Sequence, residues 1–330
     1  MKKNLLVALL SAALTFILAE ASIRLLVPQS DRFYEPNEKL GSLLKANFQG
    51  WWYGEYVFNR EFATLVTTNN LGFHDVEHSQ ANPTKKQRLV LLGDSYLEAL
   101  QVPLSQTVGR LLQRRLNHDS SEWEIISLGR AGASTAEEIV LWEEWGTRFK
   151  PNYVAILFSQ NDLLENERLT PKTTGRPRFW LEENKLYRLP SIITPTNNVT
   201  GFIADHSHLA RFFARFSLHQ EKRSELARKA YEAALSNLEL SLTPRLLETL
   251  FMKIETFGAT PLVVFVDDDP QTNPLLTPII KLLEVRQIDF IAMGDKQAPP
   301  NQQYYFPFDG HLNQKGHEHL ATLIATALLD

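Results

Sequence analysis

Four short blocks carry residue types that can catalyse together: Gly93-Asp94-Ser95, Gly129-Arg130-Ala131-Gly132, Ser159-Gln160-Asn161-Asp162 and Asp309-Gly310-His311. A serine hydroxyl is a poor nucleophile until a base within hydrogen-bond reach accepts its proton, and histidine is the side chain best suited to that task. Ser95 is therefore the candidate nucleophile and His311 the candidate base. Asp309 stands two residues before the histidine on the same loop, where its carboxylate can accept from the second ring nitrogen and fix the tautomer. Acyl transfer also needs donors for a developing oxyanion. The backbone N–H of Ser95, the N–H of Gly132 (no side chain obstructs approach there) and the Asn161 side-chain amide are the candidates.

Each block also has a plain structural reading. Ser95 after Gly-Asp can serve as a helix cap. Asn161-Asp162 and Asp309-Gly310 are good turn pairs, with His311 an exposed loop histidine. Placement decides between the readings, so the elements around the blocks matter.

From residue 87 onward, short apolar runs alternate with amphipathic stretches. Candidate strands span 88–92, 123–128, 153–158, 261–266 and 288–293, with helix-like stretches near 104–117, 135–149, 236–257 and 275–286. In the last helix Leu320, Leu323, Ile324, Ala327 and Leu328 recur at i, i+3, i+4, i+7 and i+8. This alternation predicts an α/β fold, a three-layer α/β/α sandwich around a central five-stranded parallel sheet. Ligands of such sheets bind beyond the carboxyl ends of the strands. The first three blocks follow the first three strands, and the fourth follows the fifth. Ser95 then sits where a strand enters a helix, with the helix dipole facing the oxyanion.

Other features are weaker. Asp94 reads as a cap or loop brace, and Gly129, Asn313 and Gly316 as backbone and capping residues. Asp267-Asp268-Asp269 ends the fourth strand and reads as a hard-cation ligand run or, more simply, as loop solvation and capping. His206-Ser207-His208 opens a predicted helix, as a cap or a substrate contact. His317-Glu318-His319 spaces its histidines two apart, which excludes the zinc signature of two histidines four apart on one helix face. No metal and no cofactor is expected. The chain has no G-x-S-x-G elbow, so an ordinary α/β-hydrolase is excluded.

Taken together the blocks resemble those of the SGNH (GDSL-type) hydrolases, a family named for Ser, Gly, Asn and His in four sequence blocks. The resemblance covers about residues 87–330, and more loosely FYEPNEKLG and NNLGFHD upstream, which are similar to exported, membrane-anchored members. Two positions depart from the pattern. Ser159 stands where the third block has glycine, and the last block is D-x-H instead of D-x-x-H. The D-x-H variant also occurs among exported relatives, including bacterial polysaccharide O-acetyltransferase components. The resemblance implies a flavodoxin-like fold, an acyl-serine intermediate, a Ser95–Asp309–His311 triad, and an oxyanion hole from Ser95, Gly132 and Asn161.

Composition narrows the function classes. A net charge of −4 over 330 residues shows no basic footprint, which argues against a nucleic-acid partner. The chain has no cysteine, so disulfides, thiolate metal sites, a cysteine nucleophile and a lipid-modified cysteine anchor are excluded. Lys2 and Lys3 precede an uncharged run at 5–18, followed by Ala19-Glu20-Ala21 and then a further apolar stretch at 23–28. Residues 1–28 read as a cleaved signal peptide or a retained signal-anchor helix, and the apolar extension favours the anchor. Both export the rest of the chain to a periplasmic or other extracytoplasmic site, with a membrane tether at about 5–28 in the second case.

Residues 29–84 are expected to be short strands and loops packing on the main domain. Their aromatics (Trp51, Trp52, Tyr53, Tyr56, Phe58, Phe62) would pack there or stack on sugar rings. Residues 85–330 form the hydrolase domain, interrupted at about 163–235 by an insertion with helices near 206–217 and 221–234. That insertion reads equally as a lid or as surface decoration. The leading functional expectation is an exported serine esterase that removes an O-acyl group, such as acetyl, from an envelope carbohydrate or lipid. A polysaccharide O-acetyltransferase using the same triad is the alternative. A non-catalytic binding module on the same fold is left open by Ser159.

Overall fold

The five apolar runs pair into one sheet. The computed structural model describes residues 2–54, 60–118, 122–167, 176–183, 185–189, 198–214 and 242–329. Within them, β5 (Gln87–Gly93), β6 (Trp123–Gly129), β7 (Tyr153–Phe158), β10 (Thr260–Phe265) and β11 (Asp289–Ala292) lie in the order β11-β10-β7-β5-β6, all parallel. The expected three-layer sandwich with a five-stranded parallel sheet is thus observed.

Register explains why the chemistry-bearing blocks share an edge. Gly93 pairs with Gly129 on one side and Leu157 on the other, and Phe158 pairs with Phe265. The strands therefore end level, and Asp94, Arg130, Ser159 and Val266 all emerge at one rim. Strand order reverses between β5 and β7, which opens a crevice there.

Both faces of the sheet are covered, as near-continuous apolar strands require. Leu89 and Leu91 of β5 pack with α3 (Val108–Leu116) and the last helix, α9 (Gln314–Leu329). Val90 and Leu92 pack on the other face with α4 (Thr135–Glu144), α7 (Leu242–Phe257) and α8 (Thr277–Arg286). A capping box between Ser134 and Glu137 starts α4 just after the second block, fixing where that loop ends.

Several expected boundaries shift. Residues 104–106 and 146–149 are 3₁₀ turns flanking shorter α-helices. The fourth strand begins and ends one residue early, at Thr260–Phe265. In α9, Leu320 and Ile324 are buried, but Ala321 and Ala325 complete the contact while Ala327 is exposed. The helix rotates slightly from the face its leucines suggested. In the insertion, α5 (Gln160–Glu167) leads to an antiparallel hairpin, β8 (Arg178–Glu182) with β9 (Lys185–Leu189), which comes in addition to the expected helices. A further helix, α6 (Asn198–His206), precedes Ser207, whose Oγ accepts from Ala210 N–H (3.0 Å) as a cap. The helix expected at 221–234 and the end of that at 206–217 lie outside the described residues.

The N-terminal segment forms two hairpins, β1 (Tyr34–Asn37) with β2 (Gly41–Leu44) and β3 (Gln49–Tyr53) with β4 (Ala63–Thr67). Phe33, Leu44 and Val66 pack around Leu100 of the main domain. Of the aromatics, Trp52 joins Phe33 inside, whereas Trp51 is 43% exposed and stacks on Tyr53. Tyr56 and Phe58 lie outside the described residues. Ahead of these hairpins, α1 (Lys2–Leu26) runs unbroken through Ala19–Ala21, and its Lys3–Leu26 stretch is long and apolar enough to cross a membrane by length and composition. Its 25 residues rise about 37 Å against a bilayer core of roughly 30 Å. Near its end Glu20 accepts from the His208 and Leu209 N–H groups (2.8 and 2.9 Å), and Arg24 donates to the His206 carbonyl (2.5 Å).

Candidate active site

At the end of β5, Asp94 takes the cap position of α2 (Ser95–Glu98), its Oδ1 accepting from Tyr96 N–H at 2.9 Å. Asp94 is the cap, and Ser95 is the first helical residue, free to turn its hydroxyl outward. The helix has only four residues, which corrects the expectation of a dipole aimed at the oxyanion. So short a helix aligns too few peptide units to matter. What remains is the single Ser95 N–H, which has no acceptor among the described residues.

Ser95 Oγ lies 2.9 Å from His311 Nε2, and His311 Nδ1 lies 2.6 Å from Asp309 Oδ1. With Asp309 accepting from Nδ1–H, Nε2 is left unprotonated to accept the serine proton. Two residues suffice to join acid and base because the loop doubles back. Phe306 N–H donates to the His311 carbonyl (2.8 Å) and Gly310 N–H to the Phe306 carbonyl (2.9 Å). Gly310 sits at φ +83°, a left-handed conformation that glycine adopts without strain. The loop is also held from outside the sandwich: Glu61 accepts from Asp309 N–H (2.7 Å) and Phe308 N–H (3.0 Å). Burial pushes the His311 pKa down, but the hydrogen bond and charge of Asp309, helped by the charge of Asp94, outweigh it, and the net direction is upward.

The second block folds back against the first. Arg130 N–H donates to the Gly93 carbonyl (3.0 Å), and Ala131 N–H to Glu98 Oε1 (3.1 Å). Gly132 follows at φ +67°; its carbonyl accepts from Arg176 Nη1 (2.6 Å), and a Cβ there would meet Arg176 Nη2 at 2.9 Å. The backbone conformation calls for glycine, and its N–H has no acceptor among the described residues.

Asn161 stands half-buried in the first turn of α5. Ser159, which stands where the SGNH pattern has glycine, has its Oγ 2.9 Å from Asp94 Oδ2 and in contact with Asn161 Oδ1. Ser159 leaves the Ser95–His311–Asp309 path intact.

The contacts of Asp267 with the first and third blocks escaped the sequence reading. Asp267 does not solvate a loop: its side chain is only 6% exposed. Its Oδ1 accepts from Gln160 N–H (2.9 Å) and its Oδ2 from the Tyr96 hydroxyl (3.2 Å), which Lys296 Nζ also reaches (3.2 Å). One carboxylate thereby ties the third block to the first. Its position at the end of the fourth strand was the available signal. Asp268 and Asp269 serve the loop, Asp268 accepting from Asn273 Nδ2 (2.5 Å). Beneath the rim Asp94, Glu138, Asp162 and Asp267 are buried, and burial pushes the pKa of each upward. Among the described residues no three His, Cys, Asp or Glu side chains form a metal-binding group.

No family model matches the sequence, and no curated protein matches it. Solved structures do resemble the chain in fold. The psychrotrophic esterase EstA from Pseudoalteromonas sp. aligns with a TM-score of 0.46 at 11% identity, over 74% of this chain and 100% of that one. TesA aligns with a TM-score of 0.44 at 14% identity, over 73% and 98%. The acetyl xylan esterase AlAXEase gives 0.42 at 12%, over 73% and 99%. The four blocks that resemble the SGNH hydrolases in sequence meet at one rim of a flavodoxin-like parallel sheet.

Proposed function

We propose that the protein is a serine ester hydrolase acting through an acyl-serine intermediate. The observation that carries this reading is the hydrogen-bond path from Ser95 Oγ through His311 to Asp309, at 2.9 and 2.6 Å. Ser95 Oγ attacks the acyl carbon while His311 Nε2 takes its proton, then passes that proton to the leaving alcohol oxygen. Water next attacks the acyl-enzyme, again deprotonated by His311, and restores Ser95. The carbonyl oxygen, negative in each tetrahedral intermediate, accepts from the Ser95 and Gly132 N–H groups and the Asn161 amide. Preformed donors of this kind are each worth about 3–4 kcal/mol at the transition state.

The proposed substrate is an O-acyl, such as O-acetyl, envelope carbohydrate or lipid. The chain is exported and held at the membrane by α1. The exposed Phe202 and Ile203 of α6, close to the α1 end through the Arg24–His206 bond, support that placement. A polysaccharide O-acetyltransferase is the second reading, favoured by the D-x-H spacing; a sugar hydroxyl then replaces water as acceptor.

A series of acyl esters of rising chain length, tested on the full chain with Ser95→Ala as control, decides the first point. Turnover in the wild type should fall by roughly 10⁴-fold or more in the variant. Full activity in Ser95→Ala would overturn the reading.

A further inference from the structure

The loop that carries Gly132 has most of its polar backbone engaged. Arg130 N–H donates to the Gly93 carbonyl (3.0 Å), and the Arg130 carbonyl accepts from Ala133 N–H (2.8 Å). Ala131 N–H donates to Glu98 Oε1 (3.1 Å), and the Ala131 carbonyl accepts from Arg130 Nη1 (2.7 Å). The Gly132 carbonyl accepts from Arg176 Nη1 (2.6 Å). From Arg130 to Gly132, the Gly132 N–H alone has no partner among the described residues. Backbone donors away from bulk water are paired as a rule, so one donor left open in an otherwise engaged loop marks a place kept for a ligand atom.

One of these contacts differs from the rest. The Ala131 carbonyl and the Gly132 N–H are the two ends of a single peptide unit and point in opposite directions. A guanidinium on the oxygen end draws electron density along the unit and leaves the N–H a stronger donor. Arg130 is only 3% exposed, and a buried cation needs its N–H groups satisfied. They are: Nη2 donates to Ser42 Oγ (2.8 Å) and Nε to the Ser42 carbonyl (3.2 Å), both on β2 of the N-terminal hairpin. The fork is thereby fixed from outside the sandwich, with its remaining nitrogen on the Gly132 peptide unit. Packing alone does not account for it, because an apolar side chain of similar length would fill the space without the cost of burying a charge.

We propose that Arg130 is a positioning residue for the oxyanion hole, holding and polarising the peptide unit whose N–H, that of Gly132, receives the developing oxyanion. The inference deepens the esterase reading and rests on it for the reaction itself. Negative charge grows on the substrate carbonyl oxygen only as the tetrahedral intermediate forms. The polarised N–H therefore acts mainly at the transition state and little on the bound ester.

The test compares an ester with its thionoester, in which sulfur replaces the carbonyl oxygen. Sulfur is a weak acceptor, so the ratio of kcat/KM for the two substrates reads the contribution of the oxyanion donors. That ratio does not depend on the fraction of enzyme that is folded. The wild type should favour the oxygen ester. Arg130→Gln should shrink this preference about tenfold or more, lowering kcat for the oxygen ester by about 10–100-fold with KM changed less than about threefold. Arg130→Lys keeps the charge but replaces three nitrogens with one, and its ratio should fall between the two. If Arg130→Gln does not fold, the Arg130→Lys ratio decides alone.

An unchanged ratio, even with a lower Tm or an equal loss on both substrates, overturns the role of Arg130 and leaves the esterase standing. A loss confined to KM overturns it equally. Absence of turnover in the wild type, together with no labelling of Ser95 by a fluorophosphonate, overturns the esterase reading and this inference with it.

Discussion

The site contains two sets of carboxylates in opposite circumstances. Asp309 lies on a loop, its oxygen within 2.6 Å of an imidazole nitrogen and its own N–H held by Glu61. Asp94, Glu138, Asp162 and Asp267 lie beneath, sealed among apolar strands, with burial driving each toward its protonated form. The residue type is the same or nearly so. What differs is whether a cation can form beside the acid during the reaction. In the proposed mechanism the His311 imidazole gains a positive charge, and Asp309 is the acid that faces it. Of the buried set, Asp94, Asp162 and Asp267 accept from backbone N–H groups and hydroxyls, with Lys296 Nζ also 3.9 Å from Asp267, and these contacts hold three loops together.

Removing the working pair is the strongest way to test this contrast. His311→Ala and Asp309→Asn should each lower kcat by roughly 10⁴-fold, the second by spoiling the tautomer without changing shape. The wild-type profile adds a pH signature. His311 must be neutral to accept a proton, so kcat/KM should fall as pH drops through a pKa above the ordinary histidine value of 6.5. Asp309→Asn should move the acidic limb downward, because the hydrogen bond and charge that raise the pKa are lost. A limb that stays put would separate Asp309 from the chemistry.

Asn161→Ala comes next. Loss of one oxyanion donor should cost about 10²–10³ in kcat with KM little altered. An equal loss in KM would mean that Asn161 binds the ground state instead.

The smallest effect on activity is expected from the buried set. Asp162→Asn preserves shape, and its carbonyl can still accept from Ser159 N–H as Oδ2 does now (2.8 Å). Turnover at neutral pH should change only a few-fold. Stability should respond instead. The folded-state pKa of Asp162 is raised well above its ordinary 3.8, so the native state binds more protons than the unfolded one. That contribution is complete below the ordinary carboxylate range and is lost as pH rises through the folded pKa. Thermal melts from pH 5 to 8 should therefore show a steeper decline in Tm for the wild type than for Asp162→Asn. Parallel curves would mean that Asp162 is ionised in the fold, and would collapse the contrast.

Much of this arrangement was legible in the sequence, and the boundary has physical causes. The five strands read clearly because runs such as YVAILF are buried on both faces and need no partner to be recognised. The blocks could be placed at one rim because parallel strands of similar length end level. Harder to read were contacts that depend on distant chain segments. Only its place next to the fourth strand distinguishes Asp267, which reaches Tyr96 and Gln160, from the two acids that serve the loop. The length of α2 was equally hidden, since it stops where Ala99 turns left-handed (φ +54°), a conformation that its type does not announce. Ala321 and Ala325 were passed over in α9 because leucines dominate a periodic pattern, although small residues let α9 approach its neighbours.

Glu61 is one more contact of this kind, and it bears on where the molecule can be divided. By sequence pattern the α/β sandwich begins near residue 85, and the hairpins before it look like an attachment. Yet the two N–H groups that set the position of Asp309 are taken by a carboxylate from that attachment. A boundary drawn at residue 85 would pass through the candidate site, separating Asp309 from its support. The smallest unit expected to carry out the proposed reaction therefore starts upstream of the sheet.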